Sequence, residues 1–347
     1  VRHEYPEQSI PTTQQSPLKA VPSTSETVLI TGGAGFLGSA LCDHYINRGM
    51  RVICVDNLST GRMQNIEHLM ENDAFSFIKH DVSVPFDISE DIGFIFNMAS
   101  PASPPKYQID PIATFRTIVI GAENMLTLAH RKGARILEAS TSEIYGDPEV
   151  SPQPETYRGS VNTMGPRSCY DEGKRAAETL FYDYNKNLGT DIRVARIFNT
   201  YGPRMDPEDG RVVSNFIVQA LSGNDLTIYG DGSQTRSFCY VDDLIAGLVA
   251  LMHTQGNHYS AVNLGNPGEY TVRALATMIL EETQSASHIT LKPLPVDDPR
   301  QRRPDIGLAW RLLHWEPKVP LREGLRLTIP YFALELEQNP AVAKVAV

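Results

Sequence analysis

Little in this sequence points to a membrane, a metal or a nucleic acid. No apolar run approaches the roughly 20 residues needed to cross a bilayer, and the first residues lack the hydrophobic core of a secretory signal. Cysteine is scarce. Cys42, Cys54, Cys169 and Cys239 are the only 4 in 347 residues, with no CxxC and no histidine at ligand spacing. That leaves no basis for a zinc site or a disulfide framework, and reduced thiols in a soluble cytoplasmic protein are expected. Basic charge is also in short supply: 31 Lys and Arg stand against 41 Asp and Glu, a formal charge of -10. Such a surface does not suit phosphate-backbone binding, although one local basic pocket remains open. At 41% hydrophobic and 21% charged residues, the chain has the balance of a folded globular protein, long enough for one large α/β unit with a smaller lobe.

Residues 1–25, "VRHEYPEQSIPTTQQSPLKAVPSTS", are rich in Pro, Ser, Thr and Gln without an apolar period, and read as a disordered polar tail. Order is expected from "TVLITGG" onward. Strands are predicted at 27–31, 51–56, 75–81, 94–100, 135–140 and 192–197. Helices are predicted at about 36–48, 111–132 and 169–188, with a short one near 62–72. Apolar strands alternating with helices predict an α/β fold, a doubly wound parallel (Rossmann) sheet with helices on both faces. The division follows: a dinucleotide-binding domain over 26–198, joined again by 236–262, and a smaller substrate lobe over 199–235 and 263–335. A second tail is expected over 336–347.

"TGGAGFLG" satisfies G-x-G-x-x-G through Gly33, Gly35 and Gly38, and also spaces Gly32, Gly35 and Gly38 three apart. The pattern gains force from its setting, because a strand precedes it, a helix follows, and the next strand ends in Asp56. Glycines admit a pyrophosphate to the backbone, and the helix N-terminus supplies N–H donors and positive partial charge. Asp56 suits ribose hydroxyls and repels a 2′-phosphate, so NAD is favoured over NADP. The plainer reading of Asp56 is a strand-end cap.

"CYDEGKRAAE" puts Tyr170 and Lys174 four apart, on one helix face. A nearby ammonium favours the phenolate, and such a tyrosine can take a proton from an alcohol while hydride leaves the same carbon. Taken alone, Y-x-x-x-K is usually a surface pair. "EASTSEIYGDP" (138–148) adds Thr141 at a strand tip, placed to hold the same oxygen, and Glu143, either a solvated loop charge or a reagent over the bound molecule.

In this order the glycine turn, acidic residue, strand-tip Thr and Y-x-x-x-K resemble the extended short-chain dehydrogenase/reductase family over roughly 26–335. "ASPASPPKY", "STSEIYGDPEV", "GPRSCYDEGKRAAE", "RIFNTYGPRM", "DGRVVSNFIVQAL", "GSQTRSFCYVDDL", "NLGNPGE" and "DDPRQRRPDI" are similar to the UDP-glucuronic acid decarboxylases (UDP-xylose synthases) within it. The resemblance implies a lyase that oxidises C4 of the glucuronosyl ring with NAD, loses carbon dioxide from the 4-keto acid and re-reduces C4, with no metal. It implies Tyr170 as the C4 acid/base, with Lys174 lowering its pKa and binding nicotinamide ribose. Thr141 would hold the C4 oxygen, Glu143 would act on the ring and its water, Ser142 would contact the carboxylate, and Arg302 would reach it. Neighbouring Arg300 and Arg303 read as solvated charges.

The same resemblance extends the coenzyme site to Phe36, Leu37, Asn57, Ser59, Thr60, Gly61, Asp81, Val82, Ala99 and Ser100. For the UDP-sugar it implies Pro101, Ala102, Ser103 and Tyr107 near the sugar, and Arg236, Arg204 and Asn199 at the diphosphate. Val213, Asn215, Tyr229 and Gln234 would lie about the uridine. Asn97 stands where relatives usually carry His, Ile118 where many carry Asn, and Ala122 where Thr is frequent. The family also implies a homodimer through a four-helix bundle formed by the two long helices. Competing readings are a UDP-glucuronate 4-epimerase, a nucleotide-sugar 4,6-dehydratase, and a non-catalytic NAD-binding protein.

Overall fold

β-branched and apolar residues run unbroken through "TVLIT", "RVICVD" and "RILEAST", as in strands covered on both faces. Each forms a largely buried strand in the computed structural model, which describes residues 26–256, 260–293 and 301–339. In chain order come β1 (Thr27–Thr31), α1 (Phe36–Ile46), β2 (Arg51–Asp56), β3 (Phe75–Lys79), β4 (Phe94–Asn97), α2 (Pro104–Tyr107), α3 (Pro111–Lys132) and β5 (Arg135–Thr141). A 3-10 turn at Ser142–Tyr145 leads to α4 (Ser168–Leu188), β6 (Ile192–Ile197) and β7 (Thr200–Tyr201). Then follow α5 (Val212–Leu221), β8 (Leu226–Tyr229), β9 (Thr235–Ser237), β10 (Cys239–Tyr240), α6 (Val241–Met252) and β11 (Ala261–Leu264). The chain goes on through β12 (Glu269–Thr271), α7 (Val272–Thr283), β13 (Ile289–Lys292), β14 (Gln301–Arg302), α8 (Gly307–Leu313) and α9 (Leu321–Gln338).

Seven strands form one sheet in the order β11-β6-β5-β4-β1-β2-β3, every neighbouring pair parallel. Because side chains alternate along a strand, Val28 and Ile30 join one core with Leu41, Tyr45, Leu244 and Leu248 of α1 and α6. Leu29, Ile95 and Ile136 join the opposite core with Met125, Leu126 and Phe181 of α3 and α4. The expected doubly wound α/β sheet is therefore present. Small pairings sit apart from it: β10 with β7, β13 with β8, and the three-stranded β12-β9-β14.

Helix α3 starts where Asp110 accepts the Ala113 N–H at 2.9 Å and Pro111 fills the first turn, and it stops at Gly133, whose φ is +64°. Its bounds are those expected. The short helix expected near 62–72 is instead two single 3-10 turns, Met63–Asn65 and Glu67–Leu69. Asn65 explains part of this, since its side chain turns inward to the Ala34 carbonyl at 2.9 Å. Strand β3 ends at Lys79 and β4 at Asn97, earlier than expected. After Asn97 the backbone instead donates the Met98 and Ala99 N–H groups to Thr31 Oγ1 at 3.0 and 3.2 Å. The second tail expected from 336 is helical as far as Gln338. The expected N-terminal tail and Arg300 lie outside the described residues. Among the described residues no helix is long and apolar enough to cross a membrane.

Candidate active site

The carboxyl ends of the central strands, with the turns that follow them, enclose a cavity of about 230 Å³, where open parallel sheets place their ligands. At its base Gly32 adopts φ +64°, and a Cβ there would stand 2.9 Å from the Ala99 backbone. A Cβ on Gly38 would run into the Gly32 carbonyl. The loop can therefore pack tightly against both β4 and the first turn of α1 only as glycine. Asp56 is buried at the end of β2 and accepts the N–H groups of Ala34 at 3.0 Å and Leu58 at 2.7 Å. Burial pushes its carboxyl up, against the pull of those two bonds. The cap role and the ligand role coexist, because each oxygen keeps a further lone pair. Gly61 leaves that side open: a Cβ there would stand 2.7 Å from the carboxylate oxygens.

Phe36, Leu37, Asn57, Ser59, Thr60 and Val82 also line the cavity, as do Ala99, Ser100, Pro101, Ala102 and Ser103. Asp81 stands behind the wall, where its carboxylate accepts from Asn57 at 3.5 Å and from Ser83 Oγ at 2.8 Å. A glycine cradle that no Cβ could enter and a carboxylate at the tip of β2 fit a dinucleotide.

At the cavity's other end Thr141, the last residue of β5, and Tyr170 on α4 share the wall, and Thr141 Oγ1 accepts the Glu143 N–H at 3.2 Å. Burial raises the Tyr170 phenol, while Lys174, Arg211 and Thr141 work the other way. The ring of Tyr107 stacks on that of Tyr170, centroids 5.1 Å apart and planes within 4°. Tyr107 is therefore buried beside Tyr170, its hydroxyl without a protein partner. Lys174 lies behind the wall, donating to the Glu138 carboxylate at 3.0 Å and the Ala139 carbonyl at 2.7 Å. Nearby, Ile118 packs on Gly173, where a Cβ would stand 3.3 Å from the Ile118 side chain. Ala122 is fully buried on the same helix.

Glu143 is no solvated loop charge. Its side chain is 18% exposed and one of its oxygens is shared by Arg302, at 2.8 Å, and Arg167. Burial pushes the carboxyl up, but the Arg302 and Arg167 guanidiniums outweigh it and hold the group below the usual carboxylate range. Arg302 also donates to Ser142 Oγ at 3.3 Å, and its Nε is buried without a partner. Pairing of β14 with β9 sets Arg302 beside Arg236, and Arg236 adds to the positive field on Glu143. Asp171, next to Tyr170, is the opposite case. Burial and the Glu143 charge push its carboxyl up to about 7.

The other expected sugar-nucleotide residues are spread more widely. Asn199 and Arg204 line the cavity, but Arg204 is paired with Asp43 of α1 at 2.6 Å. Val213 is buried in α5, and Asn215 donates to the Gly210 carbonyl at 3.1 Å. Gln234 donates to the Tyr229 carbonyl at 2.6 Å, which ties those two together away from the cavity wall. Arg303 is not simply solvated: it pairs with Glu269 at 3.4 Å and donates to the Pro267 carbonyl.

A model of the NAD dependent epimerase/dehydratase family matches residues 28–265. The chain belongs to that family. NAD is its cofactor. Among relatives of this NAD dependent epimerase/dehydratase family member, a UDP-glucuronic acid decarboxylase 1 of Danio rerio is 57% identical over 312 residues, spanning 90% of this chain and 74% of the relative. A UDP-glucose 4-epimerase from Thermotoga maritima with UDP-glucose superposes with a TM-score of 0.81 at 31% identity, covering 89% of this chain and 99% of that one. A UDP-glucuronic acid 4-epimerase from Bacillus cereus, in complex with UDP-glucuronic acid and NAD, superposes at 0.79 and 27% identity, with coverage of 89% and 99%.

Three residues of this family member escaped the sequence reading. Arg167 binds Glu143, Arg211 lines the cavity and holds the Ala102 carbonyl at 2.6 Å, and Glu138 holds Lys174. Arg167 and Arg211 lie inside the quoted "GPRSCYDEGK" and "DGRVVSN", so position was available as a signal. For Glu138 the signal was a lone charge inside an otherwise uncharged strand interior.

Proposed function

We propose that this protein is a carboxy-lyase that converts UDP-glucuronic acid to UDP-xylose. The observation that carries the reading is Arg302, a buried guanidinium with one N–H unpartnered, held by Ser142 and Glu143 beside the Thr141–Tyr170 pair. A sugar carboxylate set there meets a donor fork, while its C4 hydroxyl meets the tyrosine.

Tyr170, as phenolate, takes the proton of the C4 hydroxyl, with Thr141 Oγ1 holding the same oxygen. NAD, held by the glycine turn at 32–38 and by Asp56, would supply the hydride acceptor for C4. The carboxyl on C5 then lies β to a ketone, so the bond from C5 to the carboxyl carbon breaks. Carbon dioxide leaves, and the electron pair passes into an enolate whose oxygen faces Thr141 and Tyr170. A proton is added at C5, and Tyr170 gives its proton back to the C4 oxygen as hydride returns. Glu143, kept ionised by two guanidiniums, orients the ring and its water. Arg302 must position the substrate carboxylate rather than clamp it, because a bond stronger in the ground state than in the transition state slows the step. Lys174, behind the cavity wall, acts on Tyr170 by its charge. The lobe built on β8, β9, β12, β13 and β14 would cover the uridine diphosphate.

Incubation with UDP-glucuronic acid and NAD, followed by product mass, tests this. The expected product is a UDP-pentose with release of one carbon dioxide. A product that keeps all six hexose carbons would instead identify an epimerase or dehydratase.

The protein is also proposed to act as a homodimer in the cytoplasm. Ile112 and Phe115 on α3 and Tyr182 on α4 are 73, 40 and 48% exposed, an apolar surface suited to a second copy packing as a four-helix bundle. Sedimentation is expected to show two chains per particle, and one chain for Ile112→Asp/Phe115→Asp. Single chains in the unmodified protein would dismiss the dimer.

A further inference from the structure

Three parallel strands and one helix place a buried polar row behind the reactive site. Register sets Thr31 of β1 beside Asn97 of β4, and Asn97 beside Glu138 of β5, so all three side chains leave the same face of the sheet. They are joined in series. Thr31 Oγ1 lies 3.2 Å from Asn97 Oδ1, Asn97 Nδ2 donates to Glu138 Oε2 at 2.5 Å, and Lys174 Nζ donates to Glu138 Oε1 at 3.0 Å. Neither Glu138 nor Lys174 is exposed beyond 2%, and neither lines the cavity. A buried carboxylate is costly without a partner, and here both of its oxygens are occupied. Thr31 also accepts the Met98 and Ala99 N–H groups, so the row connects the ammonium to the loop that packs on the glycine turn.

We propose that Glu138 is a positioning residue of the C4 oxidation: it fixes the Lys174 ammonium and offsets part of its charge, which sets the base strength of Tyr170. The inference rests on the reading of Tyr170 as the C4 base. Electrostatically the argument is short. Lys174 favours the phenolate, and a carboxylate bonded directly to that ammonium opposes it. The other groups acting on Tyr170 are Arg211 and Thr141, which favour phenolate, and Glu143, which opposes it; the Tyr107 ring of α2 stacks on it, and Arg167 and Asp171 at the start of α4 act on that Tyr107 ring. Among the described residues, Glu138 bonds to Lys174 of α4 and Asn97 of β4.

Glu138→Gln removes the charge while its Oε1 can still accept from Lys174, and its amide N–H can bond to Asn97 once the Asn97 amide turns over to present Oδ1. Loss of a negative charge lowers the Tyr170 pKa, so the phenolate forms at lower pH. The acid limb of C4 oxidation, followed in a single turnover, is expected to move down by about one pH unit. That is the order of effect of one charge a few side chains away at an effective dielectric near 20. The Tyr170 ring signal in the NMR spectrum of isotope-labelled tyrosine, assigned with Tyr170→Phe, should titrate lower by the same amount in coenzyme-free protein. A merely structural residue would move neither.

Asn97→Asp combined with Glu138→Gln returns a carboxylate to the row one strand away, and both readouts should come back towards those of the unmodified protein. A folded Glu138→Gln protein with both readouts unmoved overturns the proposal. If that variant does not fold, Glu138→Met, an uncharged side chain of similar length, carries the test: the same downward shift supports the proposal, and unmoved readouts overturn it. Failure of the decarboxylation reading would appear separately, as a six-carbon product from the unmodified protein, since the C4 step can be read whatever follows it.

Discussion

Tyr170→Phe is expected to lower kcat by about 10²- to 10⁴-fold, the range for removing a positioned proton-transfer group. The ring stays stacked on Tyr107, so folding and NAD affinity should change little, while the proton acceptor for the C4 hydroxyl is gone. Stopped-flow mixing with UDP-glucuronic acid separates the cases. The expected trace shows no transient nicotinamide reduction, because C4 oxidation itself is blocked. If oxidation proceeds normally and only carbon dioxide release slows, Tyr170 is not the C4 base and another group must be sought, with Glu143, which lines the same cavity, the first to test.

Arg302→Gln should produce the second large effect. Removing one partner from a buried charge pair costs about 3–5 kcal/mol, so kcat/KM for UDP-glucuronic acid should fall by roughly two to four powers of ten. UDP-glucose, which has no carboxylate, supplies the control. Its binding, measured by competition, should weaken far less. Equal losses for both nucleotides would show that Arg302 supports the lobe generally and does not read the sugar acid. Glu143 is also affected, because with one guanidinium gone its carboxyl moves back up towards the usual range.

How much of this could be read from the sequence depended on the range of the signal. Strands β1, β2 and β6 and helix α3 have the bounds expected, because their apolar runs and caps are local. Gly32, Gly38 and Asp56 lie at one end of one cavity, as a contiguous motif with a known spacing allows. The region 62–72 was misread as a helix because Asn65 bonds to a carbonyl some thirty positions away, which no local pattern reports. Glu138 is the sharper lesson. It opens the stretch "EASTSEIYGDP", but a charge inside an uncharged strand has no legible role until register sets Asn97 beside it and α4 delivers Lys174. Asn97, one of three departures and standing where relatives usually carry His, is in the structure the middle member of a chain of bonds.

The position of β11 has a consequence for biogenesis. This strand is the outermost of the large sheet and its residues, Ala261–Leu264, enter beside β6 long after the six others have been made. Every residue assigned to the coenzyme lies before it, whereas Arg302 follows it. On a ribosome, where earlier units fold first, the glycine turn and Asp56 can come together before Arg302 has emerged from the exit tunnel, so on the proposed reading a nascent chain could bind its dinucleotide before it could recognise a sugar acid.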